Sequence, residues 1–149
     1  MKKQKILATV LIILNLALIW GNSALPGSAS MELSDGFLVR LGKLVPALAG
    51  IGSLLIRKLA HFLEFTCLGL LLDWRFTGTG KRGFYDAAAP ALLGTLAACL
   101  DETIQIFSPG RESSLLDVWI DVGGVCTGIL LLRLGYCCIR RRKERKQNM

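Results

Sequence analysis

The sequence predicts an all-α membrane protein: a polytopic bundle of four transmembrane helices, with an outer amphipathic segment between helices one and two. Its 149 residues are 52% hydrophobic and 19% charged, with a mean hydropathy of +0.50. Soluble domains are about a quarter charged and disordered chains have low hydrophobicity, so both classes are excluded. The sequence also has long apolar segments flanked by basic residues, and the net charge of the chain is +7. The length allows one domain, residues 1–149.

The first predicted transmembrane helix covers residues 6–25 and follows three lysines. At ~1.5 Å per residue this helix crosses the ~30 Å hydrocarbon core, and Trp20 would anchor it at the interface. A cleaved signal peptide is the alternative, with Ser-Ala-Ser at residues 28–30 as the cleavage site. The apolar run is, however, longer than a usual signal-peptide core. Apolar residues at helical spacing between positions 37 and 48 predict the amphipathic segment.

Three more apolar segments predict the remaining transmembrane helices: residues 54–73, 86–107 and 115–136. Each of them carries ionisable residues, so a soluble helical bundle is the alternative. Such a bundle needs polar helix faces, whereas residues 87–100 and 122–132 are apolar all round. Ser114, followed three positions later by Asp117, predicts a capping box at the start of the last helix.

Lysine and arginine set the predicted orientation. They concentrate in the N-terminal arm, in the loop between helices two and three, and in the basic tail, residues 137–149. The positive-inside rule therefore predicts a multi-pass protein of the cell membrane with both termini in the cytoplasm. Beside a membrane helix, the tail predicts anionic membrane lipids as partners. No readout motif indicates nucleic acid. The 5 cysteines include no C-x-x-C pair, which excludes a zinc-thiolate or disulfide framework.

With this topology, polar residues from three helices and one turn fall at a single depth near the outer surface. They are His61 and Glu64 in helix two, Asp101, Glu102 and Gln105 in helix three, Asp117 and Asp121 in helix four, and Arg111 in the turn between the last two. Lys58 shares a helical face with His61 and Glu64. Asp117, Asp121 and two glycines, Gly124 and Gly128, form one stripe of helix four. A charge in the membrane core costs at least ~2.5–3.5 kcal/mol, so this convergence predicts a functional site.

The chemistry of the predicted site stays open at this point. Either some carboxyl groups are protonated, or a bound divalent cation balances them. Oxygen ligands suit a hard cation, and His61 would suit zinc. General acid–base catalysis and binding of a cationic or sugar headgroup fit the same residues. The structural alternative is that the charges snorkel or join helices, for instance Arg111 with Asp117. Asp73 and Asp86, at the inner ends, read as interface charges.

Four blocks of the sequence resemble the VanZ-like family of membrane proteins: residues 20–27, 57–65, 101–111 and 117–124. The run D-E-x-x-Q-x-F-x-P-G-R at 101–111 is the most specific of them. Phe65 stands where many relatives are expected to have tyrosine. The resemblance implies a multi-helix bacterial membrane protein, in a family named for a component of teicoplanin resistance. It does not imply a defined molecular activity.

The leading hypothesis is a protein that binds or acts on a cell-envelope component, with a possible link to glycopeptide resistance. The candidate acids, bases or cation ligands are His61, Glu64, Asp101, Glu102, Asp117 and Asp121, and the candidate substrate contacts are Lys58, Gln105 and Arg111. These residues are compatible with catalysis and with binding alone. Two alternatives remain: a non-catalytic membrane module whose polar residues specify helix packing, and an ion-coupled transporter that four helices could form as an oligomer.

Overall fold

The computed structural model describes residues 2–44, 52–77 and 85–147, which form five helices and no strand. The helices are α1 (Lys2–Ala24), α2 (Gly27–Leu44), α3 (Ser53–Thr77), α4 (Ala88–Ile106) and α5 (Leu115–Gln147), with a 3-10 turn, Tyr85–Ala87, before α4. The all-α prediction is therefore confirmed. By length and composition, α1 and residues Leu115–Lys146 of α5 could cross a membrane.

The helix boundaries follow the apolar segments closely, with two differences. α5 continues through the basic tail to Gln147, because the tail residues after 136 include neither proline nor glycine to stop it. The predicted separate tail is thus mostly a helical extension. The amphipathic helix α2 begins at Gly27, ten residues before the predicted start at 37, and the end of that prediction, residues 45–48, lies outside the described residues.

The core forms where α1, α3, α4 and α5 meet. Ile19, Phe65, Leu68, Ala98 and Val125 are almost completely buried against one another. The contribution of α1 includes Ile19, so removal of α1 as a signal peptide would expose this core. Many other large apolar side chains on the same helices face outward, which is typical of a lipid-facing surface rather than of a soluble bundle.

The most extensive helix interface, between α3 and α5, depends on glycine. A Cβ atom on Gly128 would overlap the carbonyl oxygen of Thr66, and one on Gly124 would overlap that of Phe62. From the α3 side, Gly69 meets the backbone of Val125 in the same way. The two backbones approach as closely as in small-residue helix pairs of membrane proteins. This confirms the predicted glycine stripe on the last helix.

The turn between α4 and α5 is tied to the start of α2. Gly110 has a φ of +72°, which only glycine adopts readily. The backbone N–H of Gly27 donates to the carbonyl oxygen of Pro109 at 2.9 Å. A Cβ on Gly27 would overlap the Gly110 carbonyl. This close contact brings α2 over the end of the bundle where α1 and α4 finish and α3 and α5 begin.

Asp73, at the opposite end of the bundle, differs from the prediction of an interface charge. Its side chain is fully buried, at 0% exposure. Its Oδ1 accepts hydrogen bonds from Nε of Arg133 at 3.0 Å and from Nη2 at 2.8 Å. Asp73 is on α3 and Arg133 is on α5, so this pair joins the two helices with the tightest interface. Asp86 is exposed, as predicted.

Candidate functional site

Polar side chains gather at the end of the bundle where α1 and α4 finish, and all of them except Asn22 are buried or half-buried. We call this group the polar cluster; its members are Asn22, Ser23, His61, Glu64, Asp101, Glu102, Gln105, Ser108, Arg111 and Asp121. α1, α3, α4, α5 and the α4–α5 turn all contribute. The structure thus brings together residues from predicted helices two, three and four and from the turn between the last two.

Three members of the polar cluster form its centre: His61, Asp101 and Asp121. One nitrogen of His61 and one carboxylate oxygen of each aspartate all lie within 4.8 Å of one another. His61 Nδ1 is 3.8 Å from Asp101 Oδ2 and 3.9 Å from Glu64 Oε2, too far for a hydrogen bond in either case. The two aspartates are 0% and 2% exposed, so water cannot easily screen their mutual repulsion.

Gln105 connects the centre of the polar cluster to its surroundings. Its Nε2 donates to Asp101 Oδ2 at 2.8 Å and to Glu102 Oε1 at 3.3 Å, and it lies 3.5 Å from Ser23 Oγ. Its Oε1 accepts from Arg111 Nη1 at 3.4 Å. An amide can serve both a carboxylate and a guanidinium because it carries a donor and an acceptor. Gln105 therefore orients Asp101.

Arg111 holds the end of α1. Its guanidinium donates to the carbonyl oxygen of Asn22 at 2.5 Å and to that of Leu25 at 3.3 Å. These carbonyls lie at the helix C-terminus, where partners within the helix run out and a cation is favoured. Burial, and next the positive charge of Arg57, lower the pKa of Arg111. These bonds give Arg111 a structural task; its predicted ligand contact stays a prediction.

Glu102 caps α5 from the neighbouring helix. Its Oε2 accepts from Ser113 Oγ at 2.8 Å and from the backbone N–H of Ser114 at 2.9 Å. Ser114 Oγ accepts from the N–H of Leu116 at 3.2 Å, so its capping role is confirmed. The predicted partner of that box, Asp117, instead accepts from Lys58 Nζ at 2.5 Å. Among the described residues, Arg111 does not pair with Asp117 as the structural alternative suggested.

Two cavities adjoin the polar cluster. The smaller, of about 20 Å³, is polar and is lined by Lys58, His61, Glu102, Gln105, Asp117 and Asp121, among others. The larger is a cleft of about 390 Å³ between α2 and α3. Leucines, an isoleucine and an alanine line the apolar part of the cleft, and the residues of its polar part include Arg57, His61, Glu64 and Arg111. His61 lies on both cavities.

Sequence reasoning missed three polar residues of this region, Asn22, Ser23 and Ser108, and left Arg57 out of the candidate site. Asn22 donates to Glu64 Oε1 at 2.9 Å, Ser108 donates to the carbonyl oxygen of Ser23 at 2.8 Å, and Arg57 lines both cavities. The available signal was that Asn22 and Ser23 interrupt an otherwise apolar segment. A polar side chain inside a membrane helix usually has a partner in the bundle.

The fold and the polar cluster define a helical protein with two candidate membrane-spanning helices and a group of ionisable side chains inside the bundle. The model of the VanZ/LLP1 family matches residues 8–136, and the chain therefore belongs to this family. That range takes in α3, α4, most of α1, the part of α5 up to residue 136, and every member of the polar cluster. No match was found among curated proteins or among solved structures. Family membership and the two apolar helices together indicate a membrane protein.

Proposed function

We propose that this VanZ/LLP1 protein crosses the membrane four times and binds or acts on a cell-envelope component at its outer face. The observation that carries the proposal is the polar cluster, which opens beside a cleft and whose central carboxylates, Asp101 and Asp121, form no ion pair with a lysine or arginine within the described residues. Burying such groups costs stability unless something compensates them. A bound component of the envelope would supply that compensation during function.

The outward-facing apolar side chains support four crossings. Leu59 and Leu63 of α3, and Leu92 and Leu96 of α4, are among the exposed large hydrophobic residues. α4 has 19 residues, or about 28 Å at ~1.5 Å per residue, which is close to the thickness of the hydrocarbon core. Lipid would cover these side chains, whereas the buried acidic residues of the two helices, Asp73, Asp101 and Glu102, face the bundle interior.

The cleft favours an amphiphilic ligand. Its apolar walls, including Leu33 of α2 and Leu59 of α3, suit a lipid chain, while Arg57 and Arg111 at its polar part suit an anionic headgroup. A volume of about 390 Å³ falls within the usual range of ligand pockets. Lipid-linked precursors and anionic lipids of the envelope share this chemistry, and a role in glycopeptide resistance would follow from altering such a component.

Labelling of introduced cysteines tests the topology. In a chain whose native cysteines are replaced by alanine, we expect Ser108→Cys to react with an impermeant reagent from outside the cell, and Thr79→Cys to react only after permeabilisation. Ser108 is itself buried, so Glu112→Cys, on the exposed part of the same connection, serves as the accessible comparison. Labelling of Thr79→Cys but not Glu112→Cys in intact cells would reverse the orientation and contradict the proposal.

Teicoplanin sensitivity of cells that express the protein tests the function. We expect the wild type to reduce sensitivity and Asp101→Asn and Asp121→Asn to abolish the reduction while the protein remains folded and in the membrane. Glu112→Gln is the matched control, since Glu112 is acidic, nearby and exposed. If Glu112→Gln has the same effect as the two buried variants, the polar cluster is not the site.

The packing-module alternative has support of its own in Glu102 and Arg111. Glu102 caps α5, and Arg111 holds the end of α1, so part of the polar cluster specifies structure. This interpretation explains the edges of the cluster. It does not explain Asp121, for which no hydrogen bond is found within the described part of the chain.

A further inference from the structure

The centre of the polar cluster has the arrangement of a three-residue ligand set. His61 comes from α3, Asp101 from α4 and Asp121 from α5, so each of three core helices supplies one donor. The donors are one imidazole nitrogen and two carboxylate oxygens, all within 4.8 Å of one another. Three donors from rigid helices can be held in place without a ligand, as a preformed metal site requires.

Unpartnered atoms mark the same three residues. Within residues 2–44, 52–77 and 85–147, the buried side-chain atoms without a hydrogen-bond partner are His61 Nδ1, Asp101 Oδ1, Asp121 Oδ1 and Asn15 Oδ1. Three of these atoms belong to the ligand set, although an unsatisfied buried polar group destabilises the folded protein. A metal ion would be the missing partner of these three atoms, because it binds the lone pairs that receive no hydrogen bond.

We propose that His61, Asp101 and Asp121 bind one divalent transition-metal ion of the Zn²⁺ or Mn²⁺ class. One nitrogen and two carboxylate donors suit these ions, whereas Ca²⁺ and Mg²⁺ prefer oxygen alone. Donors of a tetrahedral site at ~2.0–2.2 Å from the ion lie about 3.4 Å apart. The three donor atoms lie within 4.8 Å of one another, so small side-chain movements would bring them to this spacing.

The surroundings of the three donors match the outer shell of a metal site. Gln105 holds Asp101 through Oδ2 and leaves Oδ1 for the ion, as is usual for ligating carboxylates. The polar cavity of about 20 Å³ beside His61 and Asp121 is large enough for a water molecule. Three protein donors with room for a water is the pattern of an open metal site. Because His61 also lines the cleft, the ion would lie between this water and the proposed envelope component.

The metal site goes beyond the proposed function and does not depend on it. A chain without bound metal could still bind an envelope component, and a metal-binding chain could lack any effect on teicoplanin sensitivity. The experiment therefore measures metal binding alone. The native cysteines are replaced by alanine in the tested protein so that thiolates cannot bind zinc, and no histidine tag is present.

Calorimetric titration of the detergent-solubilised, EDTA-treated protein with Zn²⁺ and with Mn²⁺ is the first test. We expect one ion per chain, and binding at least ~100-fold weaker in His61→Gln, Asp101→Asn and Asp121→Asn, since loss of a direct ligand exceeds the 10–100-fold cost of losing an outer-shell partner. Glu112→Gln, which changes an exposed acidic residue of the α4–α5 connection, is the control and should bind within about three-fold of the wild type. Absence of saturable binding of both ions to the wild type, or equal affinity of Asp121→Asn, would overturn the proposal.

Pulsed EPR of Mn²⁺ bound to the wild type needs no variant and so does not depend on any variant folding. The chain contains 1 histidine, so a hyperfine coupling from an imidazole nitrogen assigns His61 as a ligand. We expect that coupling, and we expect it to disappear when Zn²⁺ displaces Mn²⁺. Bound Mn²⁺ without a nitrogen coupling would place the ion elsewhere and overturn the assignment.

Discussion

The two ends of the bundle both bury aspartate, but they treat it differently. At one end Asp73, 0% exposed, receives two hydrogen bonds from Arg133. At the other end Asp101 and Asp121, 0% and 2% exposed, each have an oxygen without a hydrogen bond within the described residues. The aspartates at the two ends are equally buried, but within the described residues only Asp73 is paired with an arginine. The first arrangement is typical of a structural ion pair, and the second is typical of a ligand-binding site.

The largest expected effect comes from breaking the compensated end. Arg133→Met would leave Asp73 buried without this cationic partner, and we expect the free energy of unfolding in detergent to fall by about 3–5 kcal/mol. Chemical denaturation followed by circular dichroism measures it. The double variant Asp73→Leu/Arg133→Met should recover much of the loss, because removing both partners leaves no unpaired charge. An equally unstable double variant would show that the pair is not the cause.

The second effect concerns the α3–α5 interface that both ends share. Gly128→Ala should lower the free energy of unfolding by about 1–3 kcal/mol, because the added methyl overlaps the Thr66 carbonyl and forces the helices apart. Gly135→Ala is the matched control on the same helix, since a Cβ there meets nothing within 4 Å. The same denaturation measurement applies. Equal losses in both variants would mean that helix packing does not depend on this close approach.

The third effect tests the network at the edge of the polar cluster. Gln105→Leu removes the bonds to Asp101, Glu102 and Arg111, and we expect a loss of about 1–2 kcal/mol on thermal denaturation. Thr103→Ala, on the same helix but exposed, should change stability by less than ~0.5 kcal/mol. If both variants behave alike, Gln105 is not the connection that the geometry indicates.

The smallest effect belongs to the ion pair at the rim. The Lys58 and Asp117 side chains are 41% and 22% exposed, so solvent screens their attraction. Asp117→Asn should therefore cost less than ~1 kcal/mol in thermal unfolding. A loss of stability as large as that expected for Arg133→Met would show that Lys58 and Asp117 form a structural ion pair, as Asp73 and Arg133 do.

Much of the fold was readable from the sequence because its signals are local. Apolar run lengths predict the four core helices, and the helical repeat places Gly124 and Gly128 on one face. The positions of His61, Asp101 and Asp121 at one level followed from the alternating direction of the helices. Their approach within 4.8 Å did not, since helix rotation depends on packing.

The remaining features depend on pairing between distant segments. The partner of Asp73 is 60 residues away on α5, and the carbonyls that Arg111 contacts lie 86 and 89 residues before it. Glu102 takes the capping role expected of Asp117 because the α4–α5 turn folds back beside it. A single sequence does not show which polar residues form hydrogen bonds or ion pairs with one another.

Thermal unfolding of Asp121→Asn beside Asp73→Asn tests the central claim, that the two ends differ in compensation. We expect Asp73→Asn to lower the melting temperature by several degrees, since it weakens a buried pair. Asp121→Asn should leave the melting temperature of the metal-free protein unchanged or raise it, because it removes a buried carboxyl group that has no lysine or arginine partner within the described residues. Equal falls in both variants would show that Asp121 also serves packing, and would contradict the interpretation of the polar cluster as a functional site.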